Sequence, residues 1–345
     1  LVKYTCGGCD MKYAIIMAAG KGTRMNSDVP KVMHKVCQKP MVEHLIDNLK
    51  KAQAEEIVTV VGFNHEMVEA AMAGKCEFAL QEPQLGTGHA VMQARQLEGK
   101  EGITLVANGD CPCLKPATFE KLYESLSDGS KMAVLTTMPE DAAAYGRVVR
   151  DEQGFIRKIV EFKDCSEEEK AIREINTGIY CFDNKVLFES LSEIKNNNKQ
   201  NEYYITDLVE ILLNKGHKVK AVIAEDTKEV AGINDNVELA RANKYLQSQI
   251  NYGWMKKGVT IVDPDDTYIG PDVQIGRDVT IYPNVYIEGH SVVGDFTTLM
   301  PQTFLVNTKV GNNCTIDASR ITDSEVKDNT TVGPFVNLHN NSVVK

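Results

Sequence analysis

Ala18-Ala19-Gly20-Lys21-Gly22-Thr23-Arg24-Met25, closed by Pro30-Lys31, follows directly on the apolar run at residues 13–17. The run reads as a buried strand. Glycines placed straight after a strand let backbone N–H groups approach an anion with no Cβ in between. Arg24 and Lys31 add mobile positive charge suited to phosphate oxygens. The better-known phosphate loops do not fit: the Walker spacing is absent, and Met25 stands where the dinucleotide fingerprint needs its third glycine. A strand followed by G-x-G is by itself as compatible with a tight turn as with a ligand loop. Local charge favours the ligand. Residues 20–39 hold Lys21, Arg24, Lys31, Lys35 and Lys39 against Asp28 alone, in a chain of net charge −10. A confined basic patch in an acidic chain points to a small phosphorylated ligand, whereas nucleic acid favours a broader basic field.

Outward from this stretch, short apolar runs at 13–17, 57–61, 103–107, 132–137, 179–182 and 219–224 alternate with amphipathic segments. Met41, Val42, Leu45, Ile46 and Leu49, for example, fall on one helical face. This alternation predicts an α/β domain, a mostly parallel sheet covered by helices on both faces, with ligands gathered at the carboxyl ends of the strands. Asn236 is placed to cap a linker helix carrying Leu239, Ala242, Leu246 and Ile250. Past Thr260 the period changes. Ile269, Ile275, Ile281, Ile287, Val293, Leu299 and Leu305 recur every six residues, and the series continues less regularly to Leu338. Neither a helix nor a flat strand gives this period; a parallel β-helix of hexapeptide repeats does, here of about four coils. The expected organisation is a leader or artificial remnant at 1–10, a first domain at 11–235, the linker helix at 236–258, and the repeats at 259–345.

A chain of 345 residues is long for one core, which agrees with two domains. No apolar run approaches the roughly 20 residues of a membrane span, and no secretory apolar region is present. The nine cysteines are scattered and odd in number, as in a reduced, cytoplasmic protein. Cys6-Gly7-Gly8-Cys9 has metal or redox spacing but no second ligand pair, and it lies ahead of Met11, where the patterned sequence begins. The C-x-C spacing of Cys111 and Cys113 is likewise matched by no second ligand pair in the sequence, and the two read as small packing residues.

Three further sets are able to carry chemistry. Gln81 and Gln84, with Gly86 and Thr87, form a second glycine-containing loop, and glutamine amides suit the edge of a nucleobase. The plainer reading is a helix start capped by Thr87. Asn108-Gly109-Asp110 ends a strand-like run, placing a carboxylate where it could hold Mg²⁺, or simply make a turn. Gly146, Glu161 and Asn176 offer close approach and hydrogen bonds to a sugar, though ordinary hairpin turns have the same composition. Asn234 is open to the same turn reading.

Taken together, AAGKGTRM with PK following, QEPQLGTGHA, NGD, YGRVVR, NTGIYCFD, NEYYITD and GINDNVELA closely resemble one family. It is the bacterial bifunctional N-acetylglucosamine-1-phosphate uridylyltransferase/glucosamine-1-phosphate acetyltransferase, and the similarity runs from Met11 to about Leu338. The first motif is shared by many sugar nucleotidyltransferases; QLGTGHA and NTGIY followed by a β-helix are more specific. The resemblance implies a Rossmann-like nucleotidyltransferase domain and a left-handed β-helix, shortened here. It implies that UTP and N-acetylglucosamine-1-phosphate become UDP-N-acetylglucosamine, a peptidoglycan precursor, and pyrophosphate. Ala18, Ala19, Gly20, Gly22 and Thr23 would then bind the nucleotide, with Gly20, Arg24 and Lys31 on its phosphates and Gln81, Gln84, Gly86 and Thr87 on the uracil. Asp110 and Asn234 would hold Mg²⁺; Gly146, Glu161 and Asn176 would hold the sugar. Arg24, Lys31 and Asp110 would carry catalysis, in a cytoplasmic homotrimer that neither binds nucleic acid nor enters a membrane.

The family's Pro-Phe-x-x-Leu-Arg run reads Pro334-Phe335-Val336-Asn337-Leu338-His339 here. In the family that arginine serves a second, acetyl-transferring site built in later coils. The expectation is therefore no acetyltransferase activity, which acetyl transfer from acetyl-CoA by the purified protein would overturn. Two other readings stand beside the leading one. One keeps the mechanism with a different sugar-1-phosphate, and the other is a catalytically silent sugar-nucleotide sensor or scaffold.

Overall fold

The computed structural model describes residues 11–142 and 144–345. The C-x-x-C pair and the proposed leader lie outside the described residues. By contact density the chain divides into two compact units. One holds the described residues up to His34 together with Pro40–Glu238, and the other holds Lys35–Lys39 and Leu239–Lys345.

The first unit is built on a nine-stranded mixed sheet. Its strands are β1 (Lys12–Ala18), β2 (Glu56–Val61), β3 (Glu77–Leu80), β4 (Ile103–Asn108), β5 (Met132–Thr137), β6 (Arg147–Arg150), β7 (Ile156–Val160), β8 (Ile175–Asp183) and β9 (Val219–Ile223). They lie in the order β9-β5-β8-β4-β1-β2-β3, with β6 and β7 paired to each other and joined to β8. β1 runs parallel to β2 and β4, whereas β8 runs antiparallel to β4 and β5. The six expected strands are present. β3, β6 and β7 were not legible, being short, with charged residues at one end of β3, at both ends of β6 and inside β7.

Alternation along β1 explains the two-sided burial. Tyr13 and Ile15 join one apolar cluster and Ala14, Ile16 and Ala18 the other, as expected when successive side chains point to opposite faces. Helices α1 (Met41–Lys51), α2 (His65–Ala71) and α4 (Pro116–Glu124) cover the second face. Helices α3 (Thr87–Met92), α6 (Asn184–Leu191) and α7 (Leu208–Asn214) cover the first. The short α5 (Glu167–Lys170) starts from a Ser166–Glu169 capping box. All five apolar residues assigned to the inner face of α1 are fully buried, each worth about 1.5–3 kcal/mol.

Helix α8 (Asn236–Lys256) corrects the reading of its cap. Asp235, one residue earlier than expected, accepts from the N–H groups of Val237 and Glu238 at 2.9 and 2.8 Å. Nor is its apolar stripe the buried part: Leu239, Ala242, Leu246 and Ile250 are half-buried, and Gln247 and Asn251 are buried. The amide of Asn251 donates to the carbonyls of Thr267 and Pro264, so these polar groups are satisfied.

Residues 260–344 wind into three five-stranded parallel sheets, the section of a left-handed parallel β-helix. Ile269, Ile287, Leu305, Ile321 and Leu338 align coil on coil. Two similar ladders run through Ile281 and Val293. This makes five coils where the repeat count suggested about four. Val344 pairs with Val326 and extends the series beyond Leu338. Many corner residues are left-handed, among them Asn284, Asn307, Asn313 and Asn329. Asparagine tolerates that conformation at little cost.

Candidate active site

A cavity of about 310 Å³ opens at the carboxyl ends of β1 and β4. Its wall takes in Ala18, Ala19, Gly20, Lys31, Gln81, Gln84, Gly86, Thr87 and Asp110, so nine of the expected residues meet at one place. β1 ends at Ala18, and the chain turns away through the glycines. Gln84 Nε2 donates to the Ala19 carbonyl at 2.6 Å, latching the glutamine loop onto the glycine loop. Gln81 Nε2 donates to the Gly86 carbonyl at 3.0 Å and lies 3.1 Å from His89 Nδ1.

Gly86 has φ +109°, and a Cβ there would lie 2.6 Å from the Tyr203 carbonyl. That close approach lets residues 202–205 clip the loop. Gly88 N–H donates to the Tyr203 carbonyl at 2.7 Å, and Tyr203 N–H to the Leu85 carbonyl at 2.8 Å. Thr87 does not cap the helix through its side chain. Gly86 takes the cap position, and Thr87 Oγ1 accepts from Ile205 N–H at 3.1 Å.

Lys31 and Asp110 line the same cavity; the Lys31 ammonium contacts the Asp110 carboxylate and lies 3.3 Å from Asn234 Oδ1. Asn234 is itself held by its N–H on the Glu238 carboxylate at 2.7 Å. Cys111 is buried as expected, and its thiol also donates to Asp110 Oδ1 at 3.5 Å. Burial pushes that thiol well above its ordinary pKa, so it stays a neutral donor.

Gly22, Thr23, Arg24 and Asn234 lie outside the lining, and Arg24 is exposed on a short 3₁₀ turn, Thr23–Met25. Gly146, Glu161 and Asn176 are also outside it but cluster with one another. Asn176 N–H donates to the Gly146 carbonyl at 2.9 Å, and a Cβ on Gly146 would lie 3.4 Å from Glu161 Oε2. Thr206 Oγ1 donates to Glu161 Oε1 at 3.4 Å. Burial raises the pKa of Glu161, with the charges of Asp164, Asp207 and Glu202 adding to it. Asn108 joins the two groups: it lines the cavity, and its amide packs on Gly178, two residues beyond Asn176. Asn108 and Glu202 were not expected in the site. Their only sequence signals were their places in the NGD and NEYYITD motifs.

Asp110 and Asn234 present two hard oxygens that already converge on one cation, the lysine ammonium. That donor set suits Mg²⁺, which typically takes one or two protein carboxylates and completes its shell with phosphate and water.

A cavity of about 310 Å³ at the carboxyl edge of a Rossmann-like sheet, lined together by a glycine loop, a cation and a carboxylate, is the arrangement of a nucleotidyltransferase. The nucleotidyl transferase family profile matches residues 13–258. A bifunctional protein GlmU of Geobacillus sp. strain WCH70 is 47% identical over 335 residues, covering 96% of this chain and 73% of that protein. GlmU proteins of Halalkalibacterium halodurans and Listeria monocytogenes are 43% and 45% identical, over 96% and 95% of this chain and 74% and 72% of theirs. The chain belongs to the GlmU family. A crystal structure of a Bacillus anthracis protein, described as a candidate glucose-1-phosphate thymidylyltransferase in complex with sucrose, shares the fold. It gives a TM-score of 0.54 at 22% identity, covering 67% of this chain and 94% of that one.

Proposed function

We propose that the chain is a uridylyltransferase that joins UTP to N-acetylglucosamine-1-phosphate, releasing pyrophosphate. The observation behind this reading is the meeting of the glycine loop, the glutamine loop and the Lys31–Asp110 pair around one cavity, with Asn234 Oδ1 behind the pair at 3.3 Å from the Lys31 ammonium. A phosphate oxygen of the sugar-1-phosphate attacks the α-phosphorus of UTP. The new P–O bond forms as the bond to the bridging α–β oxygen breaks, and pyrophosphate carries away the electron pair. The attacking phosphate is ionised at neutral pH, so no protein base is needed.

The protein's task is to align two anions and to offset charge on the leaving group. Backbone N–H groups around Gly20 and the Lys31 ammonium serve the phosphates, while Gln81 and Gln84 serve the base. Glu161, Asn176 and the backbone at Gly146 serve the sugar. Asp110 and Asn234 would hold Mg²⁺, which when bound supplies charge neutralisation at the phosphates. Asp110→Ala is expected to lower pyrophosphate release by about 10²-fold or more with an unchanged circular dichroism spectrum. Near-normal turnover at saturating Mg²⁺ would remove Asp110 from this role.

A homotrimer through the β-helix belongs to the same proposal. Tyr268, Tyr286 and Phe304 stack along one β-helix face with ring centroids 4.4 and 4.7 Å apart, and none of the three is fully buried. Half-covered stacked rings favour association. Among the described residues no helix is long and apolar enough to cross a membrane.

A further inference from the structure

Lys31 occupies the oxygens that a divalent cation needs. Its ammonium bridges Asp110 Oδ2 and Asn234 Oδ1, and the Lys31 and Asp110 side chains are only 16% and 15% exposed. The lysine stem reaches this place by crossing Gly22, where φ is +65° and a Cβ would come within 2.6 Å of the Lys31 Cβ. The other Asp110 oxygen is engaged by the Cys111 thiol. Both oxygens of the carboxylate thus have donors before any ligand arrives.

Two cations cannot share this pair cheaply, because like charges a few ångströms apart in a half-buried site repel strongly. We propose that Lys31 is an internal counter-ion that holds Asp110 and Asn234 and keeps divalent cations out until a triphosphate draws its ammonium away. The inference rests on the reading of Asp110 and Asn234 as metal ligands. A triphosphate offers the ammonium more negative charge than one carboxylate and an amide oxygen. Nucleotide arrival therefore frees the pair, and metal and nucleotide bind with positive coupling.

The probe is Mn²⁺ titrated into the full chain without nucleotide, with the free ion read by electron paramagnetic resonance. Lys31→Met keeps the stem and removes the charge; Lys31→Gln serves if the first variant folds poorly. The neutral variant is expected to bind Mn²⁺ about tenfold more tightly than wild type, with the gain lost in Lys31→Met/Asp110→Asn. Equal or weaker binding by the neutral variant, absence of binding to both proteins, or a gain that survives Asp110→Asn would each overturn the proposal. A parallel titration with UTP present separates the two readings. Loss of protein-bound Mn²⁺ in Asp110→Asn keeps the metal assignment even if Lys31→Met changes nothing. Retention of it removes the metal assignment and the proposal together.

Discussion

Glu161 and Asp207 are carboxylates whose surroundings oppose their charge. Burial, then Glu210 and Asp164, lifts Asp207 to about 6, above its unfolded value of about 3.9. The folded state therefore holds this proton more tightly than the unfolded chain. The associated stability is complete below about pH 4, falls as pH rises, and is gone above about pH 6. Asp207→Asn should accordingly raise Tm over wild type at pH 8 and give no advantage at pH 4; equal Tm values at both pH values would contradict this. Gly20 and Asp110 were legible because each follows a strand, where the fold gathers ligands, and Lys31 because it stands in the local excess of basic residues at 20–39. Glu202 was not, because it reaches the cavity only through the backbone clip between Tyr203 and residues 85–88, a contact that no local pattern encodes.

Strand β8 shows how an element can be half legible. Residues 179–182 were read as a strand, yet it begins at Ile175 and passes through a register shift between Asn176 and Ile179. Asn176, Thr177 and Gly178 break the apolar pattern there, and their polar groups are held locally: Gly178 N–H donates to Asn176 Oδ1 at 3.1 Å and Thr177 Oγ1 to the Leu135 carbonyl at 2.7 Å. Gly178 has φ +76°, and a Cβ on it would fall 2.0 Å from Asn108 Nδ2. Gly178→Ala should cost about 1–2 kcal/mol in backbone strain alone and push Asn108 out of place. Steady-state kinetics should show raised KM values for both the sugar phosphate and UTP, since Asn108 joins the two groups; unchanged values for both would contradict this. The β-helix was the most legible element, since a six-residue aliphatic period has few other physical solutions. Its count fell one coil short because the spacing tightens after Leu305, where Leu305 aligns with Ile321, sixteen residues on.

Each unit of the molecule carries its own apolar core, two clusters on the sheet and one inside the coils. Composition and period announced this division, whereas the assignment of Lys35–Lys39 to the second unit depends on contacts that the sequence does not display. Among them is the ion pair between Lys39 and Asp272 at 2.7 Å. Sedimentation velocity should give a trimer at micromolar concentration, and a monomer there would leave the stacked rings without the proposed role. The decisive measurement is pyrophosphate release from UTP and Mg²⁺ across a panel of sugar-1-phosphates, with acetyl-CoA absent. Rapid release is expected with N-acetylglucosamine-1-phosphate and little with the others. Folded protein that binds UTP and releases no pyrophosphate with any sugar phosphate would contradict it.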